Sequence, residues 1–179
     1  MAWSRVLRYE MNELMKKNKD IVQFILGYIF YRVSQMFTGD PTLFVLDEAW
    51  LFLDSEYFQK ALQDYFKTLR KKNVYIIIAT QEAQDAKKSA IFSTIVNACF
   101  SRIYLPNEYA MQPDNLALYK ELGLDESDAT ILKEAQGGRE YFYASKKGKQ
   151  KFELCLSQYQ LSVLKSYVGG AVWKRFFLS

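Results

Sequence analysis

The chain has 179 residues, half of them hydrophobic and a quarter charged, with only three prolines and eight glycines; this supports a buried core and excludes a disordered or collagen-like protein. It contains no histidine, which rules out His-based triads, His-ligated zinc and His proton shuttles. A net charge of +4 is too small to argue for nucleic acid by itself, and Cys99 and Cys155, far apart and without CxxC spacing, suggest neither a disulfide framework nor a zinc site but a reducing cytoplasm.

In chain order, Arg5 to Met11 is rich in β-formers and predicts a strand, followed by a polar, turn-like stretch from Asn12 to Asp20. A helix is predicted from Ile21 to about Phe37, with Phe24, Ile25, Tyr28, Ile29, Val33 and Met36 as its apolar stripe. Val22, Leu26 and Phe30 thicken that stripe, so burial on more than one side is expected. The most apolar part, Ile21 to Val33, includes Gln23, Gly27 and Arg32 and is shorter than the ~20 residues a bilayer span needs. Gly39-Asp40-Pro41 ends the helix. Thr42 to Leu46 is then a short apolar run without alternation, the pattern of a parallel strand covered on both faces.

After a capping-like Asp54-Ser55, helical spacing continues through Phe58, Ala61, Leu62, Tyr65 and Leu69 to about Lys72, where Asn73 stops it. Val74 to Ala79 is a second continuous apolar strand, closing on Thr80-Gln81. Further on, a helix is predicted over Ser89 to Ala98, a strand over Ser101 to Leu105, and short helices over Leu116 to Leu122 and Ser127 to Ala135. Arg139 to Ala144 and Lys151 to Leu156 predict two strands joined across Lys146-Lys147-Gly148-Lys149. A last helix starts near Gln158, interrupted by Gly169-Gly170 before the aromatic tail Trp173 to Leu178. Strands alternating with helices of ten or more residues imply an α/β architecture, a mostly parallel sheet with helices on both faces. In such sheets ligands bind outside the carboxyl ends of the strands.

At that end of the first apolar strand stand Asp47 and Glu48, the pattern of a Walker B motif. Phosphoryl transfer to water needs one acid to hold Mg²⁺, usually through a bound water, and a second to accept a proton from or orient the attacking water. An acidic pair at that position equally stabilises the N-terminus of the helix that follows. If the second apolar strand lies alongside at ~4.8 Å, Gln81 reaches the same crevice, as a γ-phosphate sensor or as the cap of the next turn. Arg70 closes the intervening helix, where a cation complements the helix dipole. Placed instead on a neighbouring subunit's γ-phosphate, a guanidinium accelerates transfer by roughly 10³ to 10⁵ in related systems.

Taken together, LFVLDEAWLFL (43–53), FKTLRKKNVYIIIATQ (66–81), SRIYLPN (101–107) and REYFY (139–143) resemble the conjugal transfer ATPases of type IV secretion, the VirB/TrbE/CagE family. The likeness extends over nearly the whole chain, through YEMNELM (9–15) and the helix ending YRVSQMF. It implies a RecA-like P-loop NTPase half-domain with a small C-terminal β-hairpin and helices, the whole of 1–179 forming the C-terminal portion of one motor domain. It also implies ATP and Mg²⁺, a hexamer, and a cytoplasmic location peripheral to the bacterial inner membrane. Other secretion ATPases and inner-membrane components would be partners, and DNA or protein the cargo. Carried onto this sequence, the resemblance assigns Mg²⁺ to Asp47, water activation to Glu48, γ-phosphate sensing to Gln81 and a trans-acting finger to Arg70, with Arg139 as a second arginine candidate. Thr80 is expected to be only a strand-end residue.

The departure is the phosphate-binding loop. No Gly-x-x-x-x-Gly-Lys-Ser/Thr occurs in the sequence, since Gly148-Lys149 is followed by Gln150. The chain therefore reads as a segment of a longer motor, inactive by itself, whose unpaired strand edges favour self-association. Two other readings remain open: a DNA-pumping coupling protein or HerA/FtsK-like translocase, and a non-catalytic assembly module that docks on other secretion components.

Overall fold

The first long helix begins at Asn18, whose side-chain oxygen accepts the Asp20 N–H at 2.9 Å and so satisfies one of the donors that helix geometry leaves orphaned. The computed structural model describes residues 6–47, 56–80 and 83–165, which fall into two compact units divided between Ala98 and Cys99.

The first unit contains α1 (Asn12–Met15), α2 (Lys19–Ser34), β1 (Thr42–Leu46), α3 (Glu56–Thr68), a 3₁₀ turn (Leu69–Lys72), β2 (Val74–Ile78), α4 (Ala83–Lys88) and α5 (Phe92–Ala98). The strands β1 and β2 pair in parallel, in register from Thr42 opposite Val74 to Leu46 opposite Ile78. Asn73 has a left-handed backbone (φ 57°), and its carbonyl accepts the Thr42 N–H at 3.1 Å. That bond starts both strands at one level. The core joins Val22, Leu26 and Phe30 of α2 to Phe58 and Leu62 of α3, with Leu46 and Ile91. Tyr65 ties the two helices further, its hydroxyl donating to the Phe30 carbonyl at 2.8 Å.

Five features of this unit correct the expectations above. First, residues 6–11 form no strand and no described strand offers them a ladder; Val6, Leu7 and Tyr9 are exposed, and the turn-like stretch after them contains α1. Second, the buried line of α2 is Val22, Leu26 and Phe30, while Phe24, Tyr28 and Tyr31 face solvent. Both sides of this helix are apolar, so periodicity had two solutions, and packing on α3 and β1 selects one. Third, β1 and β2 are not covered on both faces: their burial alternates. Phe44, Leu46, Ile76 and Ile78 face the helices, whereas Leu43, Val45, Tyr75 and Ile77 are 48–67% exposed. The short helix α4 was not foreseen. Its sequence AQDAKK has good helix formers but no apolar period to detect. The predicted helix from Ser89 begins only at Phe92, because the Ser89 hydroxyl instead accepts the Ile91 N–H at 3.3 Å.

The second unit contains β3 (Ser101–Tyr104), α6 (Pro113–Glu121), α7 (Glu126–Glu134), β4 (Glu140–Ser145), β5 (Gly148–Glu153) and α8 (Gln158–Lys165). Both β3 and β5 flank β4, antiparallel to it. The predicted hairpin is present with a tighter turn, since Ser145 already pairs with Gly148 and leaves only Lys146 and Lys147 at the tip. Pro113 occupies the first turn of α6, where its missing N–H costs nothing. Asp125 and Asp128 form a reciprocal capping box at the start of α7. One sheet face packs Phe142 and Ala144 against Tyr119, Leu124, Ala129 and Leu132.

Candidate functional site

Because β1 and β2 begin together and run parallel, they also end together. The Ala79 N–H donates to the Leu46 carbonyl at 2.9 Å, carrying the ladder one step past the last paired residues. Past that bond β1 runs into Asp47 and β2 into Thr80. Asp47 is exposed and Thr80 half-buried, and in α/β sheets the carboxyl ends of the strands are where ligands bind. Asp47 is a hard oxygen donor at the mouth of a parallel pair, a chemistry suited to holding a hydrated Mg²⁺.

Glu48 and Gln81 lie outside the described residues, as do the Asp54-Ser55 cap, Gly169-Gly170 and the aromatic tail. The register nevertheless brings the residues that precede them, Asp47 and Thr80, to one end of the sheet. Among the described residues no group of three His, Cys, Asp or Glu side chains could hold a metal by itself. A nucleotide's phosphates would have to complete the coordination.

Arg70 is at the other end. Its backbone belongs to the 3₁₀ turn that enters β2, and five strand residues, about 16 Å at 3.3 Å each, separate that turn from the carboxyl end. The Arg70 backbone and Asp47 therefore lie at opposite ends of the β1–β2 pair. Arg139 is in the second unit, at the base of the β4–β5 hairpin, where its guanidinium is ion-paired with Glu153.

The sequence reading passed over one buried carboxylate. Asp128 is only 6% exposed; its partner is the ammonium of Lys149 on β5, and its side chain also accepts the Asp125 N–H at 3.0 Å. The Asp125-x-x-Asp128 spacing ahead of an apolar helix was the available signal. Its role is structural: it fastens the hairpin to α7. The Lys149 ammonium is held above its ordinary value mainly by that bond to Asp128.

Comparison with known proteins identifies the family and the fold. Residues 3–150 match the family model of the TraG P-loop domain. The chain is 34% identical over 154 residues to the conjugal transfer protein TrbE of Rhizobium radiobacter, covering 86% of this chain and 19% of that protein. It is 32% identical over 117 residues to the type IV secretion system protein VirB4 of Bartonella quintana, covering 65% and 15%. The solved structure of VirB4 from Thermoanaerobacter pseudethanolicus superposes with a TM-score of 0.64 at 19% identity, over 82% of this chain and 40% of that one, which establishes the α/β P-loop fold. The chain thus spans about a fifth of the length of the TrbE protein it matches. With the family model matched over most of its residues, the chain belongs to the TraG P-loop domain family, among the type IV secretion and conjugal transfer proteins.

Proposed function

We propose that this segment is the hydrolytic side of an ATP-driven motor that energises type IV secretion or conjugative transfer. The observation that supports it is the Asp47-Glu48 pair leaving β1 beside the strand that runs into Thr80-Gln81, in parallel register. Asp47 would hold Mg²⁺ through a bound water, Glu48 would take a proton from the attacking water, and Gln81 would read the γ-phosphate. The metal supplies, when bound, neutralisation of the charge on the transferred phosphoryl group. Arg70, set at the far end of its own β2, acts on the site of an adjacent subunit in a hexamer; Arg139 is the alternative finger. The motor works at the cytoplasmic side of the bacterial inner membrane with other secretion ATPases and inner-membrane components, moving DNA or protein. Among the described residues no helix is long and apolar enough to cross a membrane.

The test is Glu48→Gln in a protein of the relatives' length that carries this segment. Loss of a general base predicts a fall in kcat of about 10²-fold or more with nucleotide binding retained. Unchanged hydrolysis would end the assignment.

A further inference from the structure

In a parallel pair, the level of one strand against the other sets which residues leave the sheet together. A slip of one residue moves a strand end by about 3.3 Å and turns every side chain to the opposite face. Burial normally forbids such a slip, because it would exchange an apolar face for a polar one. In β1 and β2 it does not: Phe44, Leu46, Ile76 and Ile78 face the helices, and the exposed residues of the other face, Leu43, Val45, Tyr75 and Ile77, are apolar too. The register must be held at the strand entries instead. Asn73 stands there, between the 3₁₀ turn that ends at Lys72 and β2 that begins at Val74, and among the described non-glycine residues it alone has a positive φ, 57°. Its carbonyl accepts the Thr42 N–H at 3.1 Å, and its side-chain amide donates to the Gly39 carbonyl at 3.4 Å. The loop it grips is itself constrained: Gly39 has φ 107°, a conformation that a side chain would strain, and the Thr42 hydroxyl donates to the Asp40 carbonyl at 2.9 Å.

We infer that Asn73 is a positioning residue for the hydrolytic site at the far end of the pair. By pinning the entry of β1 it sets Thr42 opposite Val74 and so Leu46 opposite Ile78, and with them the level at which Asp47 leaves β1 beside the strand that runs into Thr80. The whole length of β2 separates Asn73 from that end, so it acts through register and not by contact with a ligand. Asparagine suits the task because its short polar side chain tolerates the left-handed backbone, whereas a β-branched residue there is a steric outlier. Its effect on rate rests on the hydrolytic reading of Asp47 and Glu48; its effect on register does not.

Two substitutions test it, since Asn73→Val opposes the left-handed backbone and Asn73→Gly keeps it. In the full 179-residue chain, hydrogen exchange at the Thr42 and Ala79 amides reports the two ends of the ladder. Asn73→Val should lose about tenfold or more of the protection at both, and Asn73→Gly should stay within about threefold of the unmodified chain. In a protein of the relatives' length, Asn73→Val should lower kcat for ATP hydrolysis about 10²-fold, with KM changed by less than about threefold, and Asn73→Gly should recover most of the rate. Leu26→Ala, which weakens the core away from the strand entries, is the control for stability alone and should keep kcat of the folded protein within about threefold. If Asn73→Val does not fold, Asn73→Ala takes its place with losses of the same sign. Unaltered exchange and rate in Asn73→Val, an Asn73→Gly protein as defective as Asn73→Val, or an equal loss of kcat in Leu26→Ala would overturn the proposal. Hydrolysis abolished by Glu48→Gln but not by Asn73→Val means that the positioning role alone has failed, whereas hydrolysis indifferent to Glu48→Gln removes the hydrolytic reading and the positioning role with it.

Discussion

At the scale of single residues, carboxylates did different work according to what surrounds them. Asp47 was legible in the sequence because an apolar run ending in two acids has few readings, and the structure leaves it exposed at the strand end. Asp128 was not, because a carboxylate in a polar stretch gives no sign that a lysine 21 residues on will meet it. The clamp between α7 and the hairpin carries a pH signature of definite sign. Asp125 is held below 3.8 chiefly by the Ser127 hydroxyl, and Glu140 below 4.5 chiefly by Lys151. Both contribute stability that is present above those values and lost as pH falls through their lower folded values. Lys149, held above 10.5, contributes stability that is full below 10.5 and lost as pH rises through its folded value. Thermal unfolding followed from pH 2 to 12 should therefore show Asp125→Asn flattening only the acid limb and Lys149→Met flattening the alkaline limb. Variant curves parallel to the unmodified protein at both ends would contradict the clamp.

At the scale of elements, strands were easier to place than faces. β1 was predicted over its observed span because Gly39-Asp40-Pro41 and Asp47 bracket Thr42 and four apolar residues; β2 ends one residue earlier than expected, at Ile78, although the Ala79 N–H still bonds the Leu46 carbonyl. Which side of α2 enters the core was not decidable from spacing, because Val22-Leu26-Phe30 and Phe24-Tyr28-Tyr31 are both apolar lines on one helix. Packing against Phe58, Leu62 and Leu46 chose the first. Urea unfolding distinguishes the two: Leu26→Ala, 1% exposed in the native state, should cost about 2–5 kcal/mol. Phe24→Ala, 80% exposed, should stay within about 0.5 kcal/mol. The reverse order would restore the stripe expected from periodicity.

At the scale of the molecule, family and fold class were readable from four short segments, since in sequence an acid pair and a glutamine follow two apolar strands, at the carboxyl ends where such sheets bind ligands, and a basic run precedes the second strand. Coverage of the sheet was not. An apolar strand looks the same in sequence whether one face or both are buried, and here Leu43, Val45, Tyr75 and Ile77 remain uncovered by the described helices. Arg70 lies at the opposite end of β2 from Thr80, so under the proposed mechanism the arginine would come from a second subunit. The direct measurement is the anomalous signal of Mn²⁺ in crystals of a protein of the relatives' length, grown with a non-hydrolysable ATP analogue. The motor account predicts one manganese peak beside the Asp47 carboxylate at the end of β1, with the Gln81 amide at the γ-phosphate. A peak elsewhere, or Asp47, Glu48 and Gln81 on different faces of the sheet, would contradict it.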